Sequence, residues 1–235
     1  MVEWKEIIPG EVWWSDAFLE PDTYMSLMKR LRSDSRKQID GRLRPHAIGN
    51  TYYHYDLIKT DVRKDDALVE EVFTKLNSLI ESLGDDPVDY RAPLNQLQFF
   101  AKCFSPDSRY GLHTENRTMF GKYVFVNYLT SEDTGELVFP DEDSANRYLA
   151  EHEDNRRGWE ETLETLNGEG TGVRYAGHLS LKPRKNCCVV FTTGIAHWVN
   201  PVVDSRNSLP RASLTGWINA TDSYMNWEKK VAVAY

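Results

Sequence analysis

From Pro93 onward the chain breaks into runs that are too short for ordinary helices. "NQLQFFAKCF", "GKYVFVNYL", "GELVF", "GHLSLKP", "NCCVVFTT", "HWVNPV" and "ASLTGWINA" are rich in β-branched and aromatic residues, and Gly, Pro, Asp and Ser divide them. Such a series predicts an antiparallel sandwich or barrel. Two helices are expected before it. In "FLEPDTYMSLMKRLRSD", Pro21 suits a first helical position, and Tyr24, Leu27, Met28 and Leu31 keep a helical period. In "DDALVEEVFTKLNSLIESLG", Leu68, Val72, Leu76, Leu79, Ile80 and Leu83 form one stripe, closed by Gly84. The expected architecture is mainly β with N-terminal helices, in a single domain over 1–235. A helical layer would span 1–92 and a β core 93–220.

One polar segment interrupts the β series, over 141–177. In "DEDSANRYLAEHEDNRRGWEETLETLNGEG", Ala145, Tyr148, Leu149, Trp159, Leu163 and Leu166 fall near helical spacing. The segment reads as an inserted helix or helix pair. It is either a solvated surface excursion or a lid over a site, since long insertions in compact domains are often functional.

Composition narrows the function classes. A chain of 235 residues with 40% hydrophobic and 12% aromatic content is globular and buries a sizeable core. A net charge of −8 argues against a dedicated nucleic-acid binder. The start "MVEWKEIIPG" lacks a basic n-region and an apolar h-region, so no signal peptide is expected. No apolar run approaches the roughly 18 residues of a membrane helix. Cys103, Cys187 and Cys188 form no CxxC motif and suit free thiols in a reducing, cytoplasmic setting. Cys187 and Cys188 should point to opposite faces of a strand.

Three histidines stand two residues before a carboxylate: His54 with Asp56, His113 with Glu115, and His152 with Asp154. Six histidines among 36 acids in 235 residues predict about one such pair by chance. Residues i and i+2 share a face on a strand but diverge by about 200° on a helix. His152 and Asp154 lie in the expected helical insertion. His54 and Asp56 lie far from any later strand that could add a third ligand. His113 and Glu115 open onto the β series, where His197 in "FTTGIAHWVNPV" can complete the set. Two histidines and one carboxylate hold Fe(II) on one face and leave positions open. A zinc hydrolase can use the same set, so the triad alone leaves the chemistry open.

Fourteen residues after His197 comes "RASLTGW". On a strand, Arg211, Ser213, Thr215 and Trp217 would share one face. A guanidinium and a hydroxyl turned into a barrel are costly unless an anion enters. The Arg fork matches a carboxylate. An exposed Arg at a strand edge is the plainer alternative.

Four ordered segments carry a family resemblance. "FSPDSRYGLHTEN", "VNYLTSEDTGELVFP", "LKPRKNCCVVFTTGIAHWVNPV" and "RASLTGW" resemble the Fe(II)/2-oxoglutarate dioxygenase superfamily in its prolyl-hydroxylase-like branch. The resemblance covers residues from about 95 to 220. It implies a double-stranded β-helix, or jelly roll, core. It implies that His113, Glu115 and His197 hold Fe(II). Arg211, Ser213, Tyr128 and Thr215 would bind the co-substrate 2-oxoglutarate, with O₂ as oxidant. Tyr110, Asn116, Arg117 and Tyr123 would line the substrate pocket. Trp217 would pack the barrel floor.

The implied reaction hydroxylates a peptidyl proline, an amino acid or a small metabolite, and releases succinate and CO₂. Partners would be small molecules or peptides, with no nucleic acid and no membrane. The competing class is a cupin-like metal-binding or sensing module without turnover, which would not need Arg211 and Ser213. Three departures from the family stand out. Glu115 replaces the usual Asp and is one methylene longer. It also argues against halogenation, where a small residue admits a halide. Phe104 stands where relatives often carry Tyr, and the excursion over 141–177 is long.

Overall fold

The computed structural model describes residues 2–35, 56–57, 62–90, 99–103, 110–115, 117–168, 170–203, 209 and 211–218. His54, Phe104 and Asn116, all singled out above, lie outside them. The described strands are β1 (Lys5–Ile8), β2 (Val12–Ser15), β3 (Asp56–Leu57), β4 (Phe99–Cys103), β5 (Tyr110–His113), β6 (Tyr123–Tyr128), β7 (Leu137–Phe139), β8 (Leu179–Leu181), β9 (Cys188–Thr192), β10 (His197–Val199) and β11 (Ser213–Ile218). The α-helices are α1 (Pro21–Ser35), α2 (Asp66–Ser82), α3 (Arg117–Phe120), α4 (Glu142–Glu151) and α5 (Glu153–Gly168).

The strands form two antiparallel sheets. The large sheet runs β1-β2-β9-β6-β11-β4-β3, and the small one runs β5-β10-β7-β8. Alternation along the strands gives the large sheet two different faces. Trp13, Tyr123, Phe125, Cys188, Val190 and Leu214 pack with Leu27, Met28 and Leu31 of α1 and Val72, Phe73 and Leu76 of α2. Trp14, Val124, Val126, Tyr128, Val189 and Phe191 turn the other way, onto Leu137, Phe139 and Val199 of the small sheet. Cys187 and Cys188 divide between these two clusters, as adjacent residues of an extended chain must.

The helices follow their sequence signals. The stripe of α2 is buried from Leu68 to Ile80. The Asp65 carboxylate accepts from the Leu68 N–H at 3.1 Å and caps the helix, and Arg30 holds the same carboxylate at 2.8 Å. Losing an N-cap acceptor costs about 1 kcal/mol. Asp65→Ala should therefore lower the thermal midpoint by about 2–4 °C in a domain of this size, which calorimetry would show. Unchanged melting would mean that the cap adds nothing.

The N-terminal region is not wholly helical, contrary to the layer expected over 1–92. It opens with the β1–β2 hairpin, and β2 pairs with β9 through Val12–Phe191, Trp13–Val190, Trp14–Val189 and Ser15–Cys188. Val12 and Trp14 enter one core while Trp13 enters the other, so β2 reads as a continuous apolar run.

The lid expectation is also corrected. The segment over 141–177 forms a helix pair that packs behind the small sheet. Ala145, Leu149 and Trp159 bury against Leu112, Val138, Ala196 and Trp198. Those strand residues alternate with His113, Phe139 and His197, which face the large sheet. The helix pair is a fourth layer, on the outer side of the small sheet, as α1 and α2 are on the outer side of the large one. His152 lies at the junction of α4 and α5, stacked on Tyr148 at 4.1 Å and away from the other histidines of interest. No helix among the described residues is long and apolar enough to cross a membrane.

Candidate active site

The register of one strand pair creates the centre of the site. In the β5–β10 pair, His113 stands directly opposite His197. Opposed residues of an antiparallel pair share a face, and the two imidazole centroids lie 4.1 Å apart. Glu115 arrives differently from the i, i+2 strand geometry expected. β5 ends at His113, and Glu115 lies in the chain beyond it. Its backbone carbonyl accepts from the Gly194 N–H at 3.0 Å, in the loop that leads into β10. Its two carboxylate oxygens then stand 3.7 Å from His113 Nε2 and 3.6 Å from His197 Nε2. One ligand atom from each of the three residues lies within 4.8 Å of the others, and all three side chains are buried.

Hydrogen bonds assign the tautomers. His113 Nδ1 meets the Gly111 carbonyl at 2.7 Å, and His197 Nδ1 meets the Ile195 carbonyl at 3.0 Å. A carbonyl only accepts, so each Nδ1 carries a proton, and each Nε2 is turned toward Glu115. Burial, then the neighbouring His197, pushes His113 down to about 4. It is neutral at physiological pH. Burial pushes the Glu115 carboxyl up, but His197 and His113 outweigh it and hold it well below the usual carboxylate range. Two imidazoles and one carboxylate are the donor set of a divalent first-row metal with open positions. Phe191 and Phe139 wall His197 at 4.8 and 5.9 Å, and Tyr110 packs edge-on against His113 at 4.2 Å.

A buried cation lies between the same two sheets. Arg211 is 1% exposed. It precedes β11 rather than lying on it, with φ +42. The shared strand face expected for Arg211, Ser213, Thr215 and Trp217 therefore holds only from Ser213 onward. Arg211 Nε donates to the Gly135 carbonyl at 2.5 Å, its backbone N–H donates to Glu132 Oε1 at 3.0 Å, and its guanidinium lies 5.3 Å from the Tyr128 ring centre. Burial pushes the guanidinium down and the Tyr128 phenol up from their ordinary values. Ser213 pairs across the sheet with Tyr128, so both face the interior. The buried Ser213 hydroxyl has no hydrogen-bond partner among the described residues. The Thr215 hydroxyl instead donates to the Phe125 carbonyl at 3.0 Å.

Gly135 escaped the sequence reading as a site residue, although it stands in the quoted "TGELVFP". A Cβ there would meet Arg211 Cδ at 2.9 Å and Val202 Cγ2 at 2.8 Å, and its φ of +81 already disfavours a side chain. Gly135→Ala should destabilise the fold by about 1–3 kcal/mol through overpacking and displace Arg211. Denaturant unfolding reports the effect, and parental stability would remove Gly135 from the account of Arg211.

The substrate-pocket residues divide. Tyr110 is beside the triad. Tyr123 is not: it lies on the helix-facing side of the large sheet, where its hydroxyl and Lys122 both bond Asp85 just past α2. Arg117 is exposed on α3 and makes no described contact with the triad. Trp217 is partly buried, with Phe120 stacked on it at 4.9 Å.

The family model described as the 2OG-Fe(II) oxygenase superfamily matches residues 99–219, more than half of the chain. The protein belongs to the 2OG-Fe(II) oxygenase superfamily. It is an Fe(II)- and 2-oxoglutarate-dependent dioxygenase that uses O₂. No curated protein sequence matches the chain. Among solved structures, a Pseudomonas putida prolyl-4-hydroxylase is similar, with TM-score 0.54 and 15% identity over 90% of this chain and 93% of that one. A prolyl hydroxylase from Trichoplax adhaerens, in complex with a hypoxia inducible factor oxygen degradation domain peptide fragment, is similar at TM-score 0.54 and 14% identity. That match covers 93% of this chain and 87% of the other. At these identities the likeness concerns the fold.

Proposed function

We propose that His113, Glu115 and His197 hold the iron, and that Arg211, Ser213 and Tyr128 hold the far carboxylate of 2-oxoglutarate. The two packed sheets are then the two halves of a double-stranded β-helix within one domain over 1–235. The observation that carries this reading is a His pair and a carboxylate in one buried cluster, facing the same sheet interior as a fully buried arginine. Iron with 2-oxoglutarate and O₂ supplies the oxidising power, with succinate and CO₂ as co-products.

The chain's own residues bind, orient and exclude water. The carbonyls of Gly111 and Ile195 keep both imidazoles in the tautomer that ligates through Nε2. Glu115 offsets metal charge with one anionic group. Its extra methylene is accommodated because the residue sits beyond the end of β5, where the backbone is not bound to the strand register. Arg211, held by the Gly135 carbonyl and faced by Tyr128, presents a buried guanidinium whose fork matches a carboxylate. Ser213 adds a hydroxyl. Thr215 contributes less to the co-substrate than the sequence suggests, because its proton is already directed to Phe125. Phe139, Phe191 and Tyr110 keep the centre dry and fix the ring planes.

A metal-binding module without turnover accounts for the triad but not for Arg211 and Ser213. The substrate class is a peptidyl proline, an amino acid or a small metabolite. The two similar prolyl hydroxylase structures, one of them with a peptide bound, favour the first. Two buried free thiols, Cys187 and Cys188, suit a reducing cytoplasmic setting. The test is succinate release with Fe(II), O₂ and 2-oxoglutarate across proline peptides, free amino acids and small metabolites. Substrate-stimulated release identifies the class. No stimulation beyond the uncoupled background by any of the three classes would overturn the substrate proposal.

A further inference from the structure

The helix pair behind the small sheet has a second kind of contact with the two strands that carry the histidines. Among the described residues β5 is an edge strand of the small sheet, paired with β10 on one side only. The outward backbone groups of Leu112, next to His113, need partners. Asn155 of α5 provides both. Its Oδ1 accepts from the Leu112 N–H at 2.5 Å, and its Nδ2 donates to the Leu112 carbonyl at 3.1 Å. A side-chain amide thus takes the two backbone bonds that a neighbouring strand would make. Asn155 is only 4% exposed, and Leu112 is fully buried.

The exit of the insertion grips the other histidine's strand. The Arg174 N–H donates to the Gly194 carbonyl at 2.9 Å, and the Ala196 N–H donates to the Arg174 carbonyl at 2.8 Å. Between these two contacts lies Ile195, whose carbonyl orients His197. The Arg174 guanidinium crosses over Gly194, where a Cβ would meet its Nη1 at 3.1 Å. It donates to Thr193 O at 2.8 Å and Thr192 Oγ1 at 2.9 Å. Glu11 in the β1–β2 turn holds it at 2.8 and 3.2 Å. The same loop donates the Gly194 N–H to Glu115. One arginine therefore ties the N-terminal hairpin to the loop that presents both His197 and Glu115.

We propose that the insertion is a brace for the metal centre, with Asn155 and Arg174 as positioning residues for His113 and for the His197–Glu115 loop. The proposal rests on the ligand assignment above. Residues that orient metal ligands typically change affinity by about 10–100-fold when lost. Asn155→Asp keeps the size and the acceptor but sets an oxygen against the Leu112 carbonyl. Arg174→Gln keeps the backbone contacts but removes the charged fork.

The experiment measures Co(II) affinity and the Co(II) visible spectrum of the full chain without O₂, alongside the thermal midpoint. Asp65→Ala serves as the control for lost stability alone. Asn155→Asp and Arg174→Gln should each weaken Co(II) binding by about 10–100-fold and alter the visible bands, while Asp65→Ala melts earlier but binds as the parent does. Arg174→Lys should recover part of the affinity. Arg174 is partly exposed, so its variants carry the test even if Asn155→Asp does not fold. Parental affinity and spectrum in the folded variants, with only a lower midpoint, would overturn the brace. Parental binding in His113→Ala and His197→Ala would overturn the ligand assignment instead.

Discussion

Iron affinity should fall by roughly a hundred- to a thousandfold in His197→Ala, and by a similar factor in His113→Ala. The magnitude follows from metal sites built on four protein ligands, where binding is worth about 10–16 kcal/mol. That is about 2.5–4 kcal/mol per ligand, at about 1.4 kcal/mol for each tenfold. The two histidines should behave alike, because they face each other across one register and use the same Nε2 atom. Glu115→Gln should also lose affinity, since it removes the only carboxylate of the cluster while keeping the side-chain length. His152→Ala should bind as the parent does, because that ring stacks on Tyr148 outside the small sheet. The measurement is equilibrium binding of Fe(II) without O₂, or of Co(II), to each folded variant. Normal metal content in His113→Ala would defeat the ligand assignment.

Arg211→Ala should weaken 2-oxoglutarate binding by roughly ten- to a few-hundredfold while changing metal affinity much less. A charge-assisted hydrogen bond to a carboxylate is worth roughly 1.5–3 kcal/mol, and leaving the partner charge unpaired adds to the cost. The structure adds a second expectation. Arg211 is among the largest fully buried side chains, and it fills space against Gly135 and Tyr128. The alanine variant should therefore also lose thermal stability without ligand. Arg211→Lys should restore part of the affinity, because a point charge does not reproduce the fork. Titration of 2-oxoglutarate with an inert metal in place, together with metal affinity alone, separates the effects. Undiminished 2-oxoglutarate binding in Arg211→Ala would remove this residue from the co-substrate site.

Ser213 and Thr215 provide an internal comparison. They share a face of β11 and look equivalent in "RASLTGW". Only the Ser213 hydroxyl stands without a partner among the described residues, whereas Thr215 is bonded to the Phe125 carbonyl. Ser213→Ala should accordingly raise the 2-oxoglutarate requirement more than Thr215→Val does. The reverse order would place the co-substrate deeper along β11 than proposed.

By itself the sequence determined the two long N-terminal helices, the later strand runs and the identities of the chemical groups, though not the β1–β2 hairpin. The stripe of α2, the Pro at the start of α1 and the strand runs after Pro93 are local patterns, set by propensity and periodicity, and they can be read without the fold. The same holds for the candidate triad, because a histidine and an acid two apart, followed by a histidine before a Val-x-Pro strand, is a one-dimensional signature. Tertiary structure alone decided four things. Register placed His113 opposite His197, and Glu115 reached them from beyond the strand because Gly194 holds its carbonyl. A left-handed turn, not strand alternation, sent Arg211 inward, which periodicity does not encode. The insertion became a brace rather than a lid because its apolar stripe found the outer face of the small sheet, where Leu112, Ala196 and Trp198 needed cover. Tyr123 turned away from the site for the related reason that its neighbours Val124 and Val126 occupy the inner face. Which face of a strand lies inward depends on what packs against it, and those partners come from segments far apart in the chain.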